Sequence, residues 1–161
     1  MSEQSSNRRQ LAFSNWDEVE SDLRALQQGY KQNGAWDLSQ NAKHLNDWLG
    51  FPMDGFPKAP IFLRALFAVI RGAVGKRMLA TILAEQKMKD GLPTAPETVH
   101  HEDAEVDSVI NKLIETIHRF RDYEGEVYPS PLYGAMDKST AEKLQFVHFA
   151  HHLSWLSPKN S

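Results

Sequence analysis

Two histidines, His148 and His152, stand one helical turn apart near the end of the sequence. Because a helix turns about 100° per residue, side chains at positions i and i+4 project from one face. Leu144 and Trp155 fall within about 40° of His148 on the same helical wheel, so the pair lies in the middle of a predicted apolar stripe. Burying an imidazole nitrogen without a partner costs roughly 1 to 3 kcal/mol. The spacing therefore indicates either two metal ligands or two hydrogen-bonded core histidines, and by itself leaves both open.

A divalent metal ion would need a further ligand, and the remaining histidines are the candidates. His44 lies at the border of the apolar stripe of the second predicted helix. His151 lies about 60° from His148, at the edge of its stripe. That position favours a supporting or structural role for His151, with replacement of one member of the pair as the alternative. Three weaker candidates flank the stripe of the third predicted helix or lie in the loop before it: His118, His100 and His101.

A di-iron site is the competing plan for a helical protein, since such sites use Glu-x-x-His on two helices together with two further glutamates. Glu97 to His100 and Glu115 to His118 match this motif in letters. Glu115, however, points about 180° away from the apolar stripe of its helix, and Glu97 follows a proline-rich loop. Neither glutamate would reach a helical core, so the di-iron plan is rejected.

The composition is that of one globular domain. The chain has 161 residues, of which 41% are apolar and 24% are charged, close to the average for soluble proteins. We expect a disordered tail over residues 1–12 and a single domain over residues 13–157. The formal net charge of -3 and the scattered basic residues argue against nucleic acid as a partner.

The sequence contains no cysteine, which excludes disulfides, thiolate metal sites and a cysteine nucleophile. The start, MSEQSSNRRQ, lacks the apolar stretch of a secretory signal, so a cytoplasmic location is expected. Basic residues interrupt the most apolar stretch, residues 60–88, so no transmembrane segment is expected. That stretch could lie on a membrane surface as a basic amphipathic helix, although packing on the domain is the preferred interpretation.

Apolar residues at three- and four-residue spacing predict four long helices around one core. The first helix is expected to begin after Ser14 and to end near Tyr30, and the second to stop at Gly50 and Pro52. The third is expected over about residues 103–123. No strand pattern of any length is present.

The last helix is expected to be capped by Asp137 or Ser139 and to continue to about Leu156. Residues 60–88 are predicted to form two helical pieces divided around Gly72 and Gly75. Residues 124–135 are predicted to be a long connection, because they contain two prolines and two glycines.

Two segments, GAWDLSQNAKHL and PLYGAMDKSTAEKLQFVHFAHHLSWL, resemble the DinB/YfiT-like superfamily of metal-dependent helical-bundle proteins, and most closely a branch of unknown function. In that branch a Trp begins the second helix, a His follows near its middle, and H-x-x-H-H-L occurs on the last helix. The family pattern usually continues with a Gln and a Phe-Gly pair, whereas this chain continues with Ser154, Trp155, Leu156 and Ser157. The resemblance covers most of the chain after residue 14.

The resemblance implies an all-α fold, a DinB-like four-helix bundle with extra short helices between the second and third long helices. It also implies a nickel or zinc ion held by His44, His148 and His152. Three protein ligands leave a position open for water or substrate, which is typical of a catalytic site. Candidates for supporting the ligands or lining the pocket are Gln40, Asn41, Tyr133, His151 and Trp155; the alternative for the polar ones is a solvated or capping role.

Three functions remain open at this point. Some relatives in the superfamily are similar to thiol S-transferases and to a maleylpyruvate isomerase, which implies transfer or conjugation of a low-molecular-weight thiol. The metal could equally activate water for hydrolysis of a small-molecule substrate. A non-enzymatic helical protein that binds an apolar ligand or a membrane surface is the third hypothesis. The oligomeric state is open as well, with a homodimer among the options.

Overall fold

The structure is a computed structural model, and it describes residues 8–58, 64–65, 68–69, 72–91, 94–102 and 104–159. The described part of the chain is mostly helical, with one small sheet. The helices whose bounds it gives are α1 (Trp16–Gln27), α2 (Leu38–Asp54), α3 (Ala73–Glu85), α4 (Val106–Asp122) and α5 (Lys138–Leu153). A short 3-10 helix, Pro96–Thr98, precedes α4, and the strands are β1 (Tyr30–Gln32) and β2 (Leu156–Pro158).

Side-chain oxygens cap the start of four of these helices, with Glu105 in this position on α4. Asn15 accepts a hydrogen bond from the backbone N–H of Glu18 at the start of α1, and Asp137 caps α5 in the same way. Asp37 and Gln40 form a reciprocal capping box on α2. Each side-chain oxygen satisfies a backbone donor that has no partner within the helix. The predicted cap Asp137 is therefore confirmed.

The main core lies between α1, α2, α4 and α5. Trp16 of α1 contacts the rings of Phe120, Phe146 and Phe149 at centroid distances of 4.9 to 5.8 Å. Its indole N–H donates a hydrogen bond to Glu142, so its polar atom is satisfied at the edge of the core. Fully buried leucines complete the core from all four helices, among them Leu23, Leu26, Leu45, Leu49, Leu113 and Leu153.

Helix α3 packs on the outside of α5 rather than in the main core. Leu79 and Ile82 of α3 form a second buried cluster with Tyr133 and Val147. The sequence predicts two helical pieces across residues 60–88; much of this segment lies outside the described residues, and Gly75 lies inside α3 rather than at a break. The predicted start of the third long helix at Asp103 also lies outside the described residues.

Two short strands correct the expectation that the chain has no strand. Tyr30 pairs with Pro158 and Gln32 with Leu156 in an antiparallel register. Gly29, with a φ of 134° that favours glycine, turns the chain out of α1. Helix α1 therefore ends at Gln27 and not near Tyr30. Strands of three residues are too short to show an alternating pattern in a sequence.

Helix α2 corrects a second expectation, since it continues through Gly50 and Pro52 to Asp54. A proline has no N–H for the carbonyl four residues earlier, which here is that of Trp48. The side-chain amide of Gln145 on α5 donates a 3.0 Å hydrogen bond to that carbonyl oxygen. A tertiary contact thus replaces the missing helical bond, which explains why the proline does not end the helix.

Of the predicted tail, residues 1–7 lie outside the described residues, and the part that follows lies against the domain. The Arg9 guanidinium donates to both carboxylate oxygens of Asp22, at 2.7 and 2.9 Å. The backbone N–H of Arg9 donates to the carbonyl of Ser154 at 2.9 Å.

Among the described residues, none of the helices combines the length and the apolar character that crossing a membrane requires.

Candidate metal centre

His44 of α2 meets His148 and His152 of α5. Each ring offers one nitrogen, and the three nitrogens all lie within 4.8 Å of one another. The Nε2 atoms of His44 and His148 are 3.3 Å apart. Two nitrogens bound to one tetrahedral zinc at 2.0 to 2.1 Å are separated by about 3.3 to 3.4 Å. The three histidines, which we call the histidine cluster, can therefore hold a metal ion.

The tautomer of His44 is set by the hydrogen bond that its Nδ1 makes. His44 is only 2% exposed, and its Nδ1 lies 3.1 Å from the carbonyl oxygen of Thr98. Because a carbonyl oxygen can only accept, Nδ1 carries the proton and donates it. The lone pair of Nε2 then faces the histidine cluster, as a metal ligand requires.

The tautomer of His152 is set by a longer chain of contacts. The Asn41 amide nitrogen donates to the carbonyl oxygens of Trp36 and Asp37, at 3.2 and 2.8 Å. The Asn41 side-chain oxygen is therefore the atom that lies 3.1 Å from His152 Nδ1. An amide oxygen can only accept, so Nδ1 of His152 donates and Nε2 keeps its lone pair. The first turn of α2 thus orients a ligand on α5.

His148 completes the cluster through its contact with His44. With the lone pair of His44 Nε2 facing His148 Nε2, the two nitrogens attract only if a proton or a cation lies between them. In the protein alone, His148 Nε2–H donates to His44 Nε2. A metal ion would take the place of that shared proton, as expected for ligands that release protons on binding.

Burial keeps the cluster neutral. It lowers the pKa of His44 from 6.5 to about 4, aided by the neighbouring histidines His100 and His151. Burial also places the pKa of His148 and of His152 well below 6.5, and the other cluster histidines add to the effect. All three rings are therefore uncharged at neutral pH, which is the form that binds a metal.

The histidine cluster lies in the wall of a cavity of about 470 Å³, a size typical of small-molecule sites. Trp36 stacks on His152 with ring centroids 5.6 Å apart and planes inclined by 15°. Tyr133 is buried in the wall, and burial raises the pKa of its hydroxyl above 10.0. The aromatic side chains that line the cavity are Trp36, Trp48, Phe56, Tyr128, Tyr133 and Trp155.

Of the other residues predicted to support the site, two line the cavity and one caps α2. His151 lines the cavity, and the Arg8 guanidinium donates to its Nδ1 at 3.0 Å. Burial, followed by the Arg8 charge, lowers the pKa of His151. Trp155 also lines the cavity, with Arg8 4.6 Å from its ring centroid. Gln40 instead bonds the backbone of Asp37 and the carbonyl of His100, which is a capping role.

The three weaker histidine candidates lie outside the histidine cluster. His100 Nε2 lies 2.7 Å from a carboxylate oxygen of Asp47. His118 Nε2 lies 2.9 Å from a carboxylate oxygen of Glu20, and His101 is exposed. The structure does not bring these three rings into the histidine cluster.

Sequence reasoning missed three contributors to the site. Thr98 comes from a loop, where no periodicity points to a neighbour. Trp36 precedes α2, and nothing in its spacing places it on His152. Gln145 lies three residues before His148, so helical spacing could have assigned it to the same face.

A family model described as "Protein of unknown function (DUF1569)" matches residues 5–159. The chain therefore belongs to that family. Comparison with curated proteins and with solved structures gave no match.

Proposed function

We propose that this member of the DUF1569 family is a metal-dependent enzyme that conjugates a low-molecular-weight thiol to a small apolar substrate. One observation carries the proposal: three neutral imidazole nitrogens converge in the wall of a cavity, and hydrogen bonds fix the tautomers of His44 and His152. A structural metal site normally has four protein ligands, whereas three leave one position for a substrate.

The donor set fits zinc or nickel. Neutral imidazole suits these borderline ions, and the site has neither the thiolates that select soft metals nor the oxygen ligands that suit magnesium or calcium. When bound, such an ion lowers the pKa of a thiol or a water molecule at the open position. Thr98 and Asn41 would hold the rings of His44 and His152 in place during that chemistry.

The cavity favours a thiol over water as the nucleophile. A free thiol has a pKa near 8.5, far below that of water, so it needs less help to ionise. Among the described cavity residues, Asp90 is the one carboxylate, and Arg8 already holds it at 2.7 Å. The described part of the cavity therefore offers no free carboxylate as a general base for water. Because the chain has no cysteine, the thiol would be a separate molecule.

The DinB-like assignment is part of this proposal. Its support is the order of the features: one histidine on α2, two on α5, and shorter helical structure between α2 and α4. We likewise propose a single domain over residues 13–157 and a location in the cytoplasm.

A conjugation assay tests the proposal. Zinc- or nickel-loaded protein is mixed with monochlorobimane and with bacillithiol, mycothiol or glutathione in turn, and the fluorescent thioether is measured. In the reaction a carbon–sulfur bond forms, chloride leaves and the thiol proton passes to the buffer. We expect acceleration by loaded protein and by the control His101→Ala, but not by metal-free protein or His148→Ala. Metal-dependent hydrolysis of test esters without any thiol dependence would instead assign water as the nucleophile and refute the transferase.

A further inference from the structure

Three aromatic side chains of the cavity wall are left partly exposed. Trp48 lies on α2, Phe56 follows the end of that helix, and Tyr128 lies in the connection before α5. Trp48 and Phe56 are half-buried, and Tyr128 is 51% exposed. Large apolar groups that line a cavity without being fully buried commonly mark a ligand site. We call these three residues the aromatic wall.

The turn after α2 brings the aromatic wall together. Gly55 has a φ of 100°, which favours glycine, and it turns the chain at the end of the helix. Phe56 then folds back on α2, with its ring centroid 6.2 Å from that of Trp48. A Cβ atom on Gly55 would lie 3.8 Å from the ring of Tyr128. The backbone N–H of Tyr128 also donates to the carbonyl of Pro52 at 2.9 Å, so the end of α2 holds all three rings.

The orientation of Trp48 is fixed by Thr98. This threonine is fully buried, and its hydroxyl donates to the carbonyl of Ala95 at 2.8 Å. Because that proton is committed, the hydroxyl oxygen accepts the 3.3 Å hydrogen bond from the indole N–H of Trp48. The Trp48 ring centroid lies 6.2 Å from the ring centroids of both His44 and His148. The aromatic wall therefore begins directly beside the histidine cluster.

A wall made of aromatic rings favours an aromatic ligand. The negative face of one ring attracts the positive edge of another, so aromatic rings pair edge to face or offset. Phe56 and Trp48 already pair in this way, with planes inclined by 60°. The attraction comes in addition to the burial of apolar surface, and a saturated ring lacks it. An aromatic ring therefore gains more from this wall than a saturated ring of the same size.

We propose that the aromatic wall binds a planar aromatic ring of the substrate beside the histidine cluster. The inference rests on the proposed function in treating this substrate as the partner of the thiol. It adds the chemical class of that substrate, an aromatic compound, and the side chains that select it. Binding needs neither the thiol nor turnover, so it is tested separately from the conjugation reaction.

The experiment compares 3-phenylpropan-1-ol with 3-cyclohexylpropan-1-ol, each titrated into the zinc-loaded protein in a calorimeter. The two alcohols carry the same chain and hydroxyl, so a contact between the hydroxyl and the metal contributes equally to both. The cyclohexyl ring is the more apolar, so the burial of apolar surface alone favours it. We expect the wild-type protein to bind the phenyl compound about three- to tenfold more tightly, which is the factor that aromatic pairing adds.

Phe56→Leu and Trp48→Leu each keep an apolar side chain and remove one ring of the aromatic wall. We expect the ratio of the two dissociation constants to fall to about one or to reverse. Trp48→Phe keeps a ring at the same position and should retain a preference for the phenyl compound. Tyr123→Leu is the matched control, because Tyr123 is also a half-buried aromatic residue but packs against the main core. It should keep the wild-type ratio.

Equal or weaker binding of the phenyl compound by the wild-type protein, or no binding of either compound, would overturn the proposal. An unchanged preference in both Phe56→Leu and Trp48→Leu would do the same, since the ring would then bind elsewhere. So would an equal loss of preference in the control Tyr123→Leu. Should Trp48→Leu fail to fold, Phe56→Leu, which lies outside the helix, still decides the matter. Loss of the conjugation activity alone would refute the proposed function and leave this ligand preference standing.

Discussion

The side-chain oxygen of Asn41 accepts a 3.1 Å hydrogen bond from Nδ1 of His152 across the interface between α2 and α5. The Asn41 amide nitrogen is held by the backbone carbonyls of Trp36 and Asp37, where α2 begins. The start of one helix thus decides which nitrogen of a histidine on another helix faces the cavity. Such contacts behind a metal ligand contribute to metal affinity as well as to orientation.

Asn41→Leu should lower the affinity for zinc roughly 10- to 100-fold. The leucine is similar in size but cannot hold His152 Nδ1, so the ring loses its fixed tautomer. Competition with a chromogenic chelator measures the change. Asn46→Leu is the control, because Asn46 also lies on α2 and also accepts one side-chain hydrogen bond, from Thr116. An equal loss of zinc affinity in both variants would show that a general weakening of α2 is responsible.

Replacing a cluster histidine should abolish stoichiometric metal binding. In His148→Ala and His152→Ala two ligands remain, and two imidazoles hold a divalent ion poorly. His100→Ala and His101→Ala serve as controls, since neither ring lies in the histidine cluster. Elemental analysis of the four purified variants gives the metal content per chain. Full occupancy in both α5 variants would remove the proposed pair from the site.

The metal-free protein should lose stability as pH falls from about 6.5 toward 5. The pKa of His44 is about 4 in the folded protein against an ordinary value of 6.5, and the pKa values of His148 and His152 are lowered in the same direction. The unfolded chain therefore binds more protons in this window, and protonation favours unfolding. Each such histidine changes the free energy of unfolding by up to about 1.4 kcal/mol per pH unit.

Urea unfolding at several pH values measures this slope. Most carboxylates stay ionised above about pH 5, so they contribute little within the window. The double variant His44→Gln, His148→Gln should show a shallower slope, because two of the three titrating histidines of the cluster are gone. A free energy of unfolding that does not change between pH 6.5 and 5 would contradict the buried, neutral cluster.

The free energy of unfolding should depend strongly on the side chains buried in the core between the four long helices. Ile117 of α4 is fully buried, and Ile117→Ala should lower the free energy of unfolding by about 2 to 5 kcal/mol through the cavity it leaves. Glu115→Ala, two residues away on the exposed face of the same helix, should change it by less than about 0.5 kcal/mol. Urea denaturation of both variants provides the comparison. Similar losses would place Ile117 outside a packed core.

Much of the helical framework could be predicted from the sequence, because it depends on local patterns. Apolar spacing placed the long helices, and the cap at Asp137 follows from the preference of an N-terminus for a side-chain acceptor. The continuation of α2 through Pro52 could not be predicted, since it depends on an amide donated from Gln145 on another helix. The paired strands β1 and β2 were missed because each has only three residues.

The histidine cluster was predictable in part for a similar reason. Helical spacing puts His148 and His152 on one face, whereas the choice of His44 as their neighbour came from the family resemblance. The two groups that fix the histidine rings differ in how far the sequence predicts them. Asn41 lies close to His44 in sequence and was among the candidates, but the Thr98 carbonyl arrives from a loop whose path no local pattern specifies.

We expect the histidine cluster to bind one divalent metal ion. Crystals of the zinc-loaded protein, measured on both sides of the zinc absorption edge, test it most directly because anomalous scattering locates the ion itself. We predict one peak per chain, at roughly 2.0 to 2.1 Å from one ring nitrogen each of His44, His148 and His152. A zinc peak at other residues with none between these three rings, or no peak at all from zinc-loaded crystals, would contradict the account.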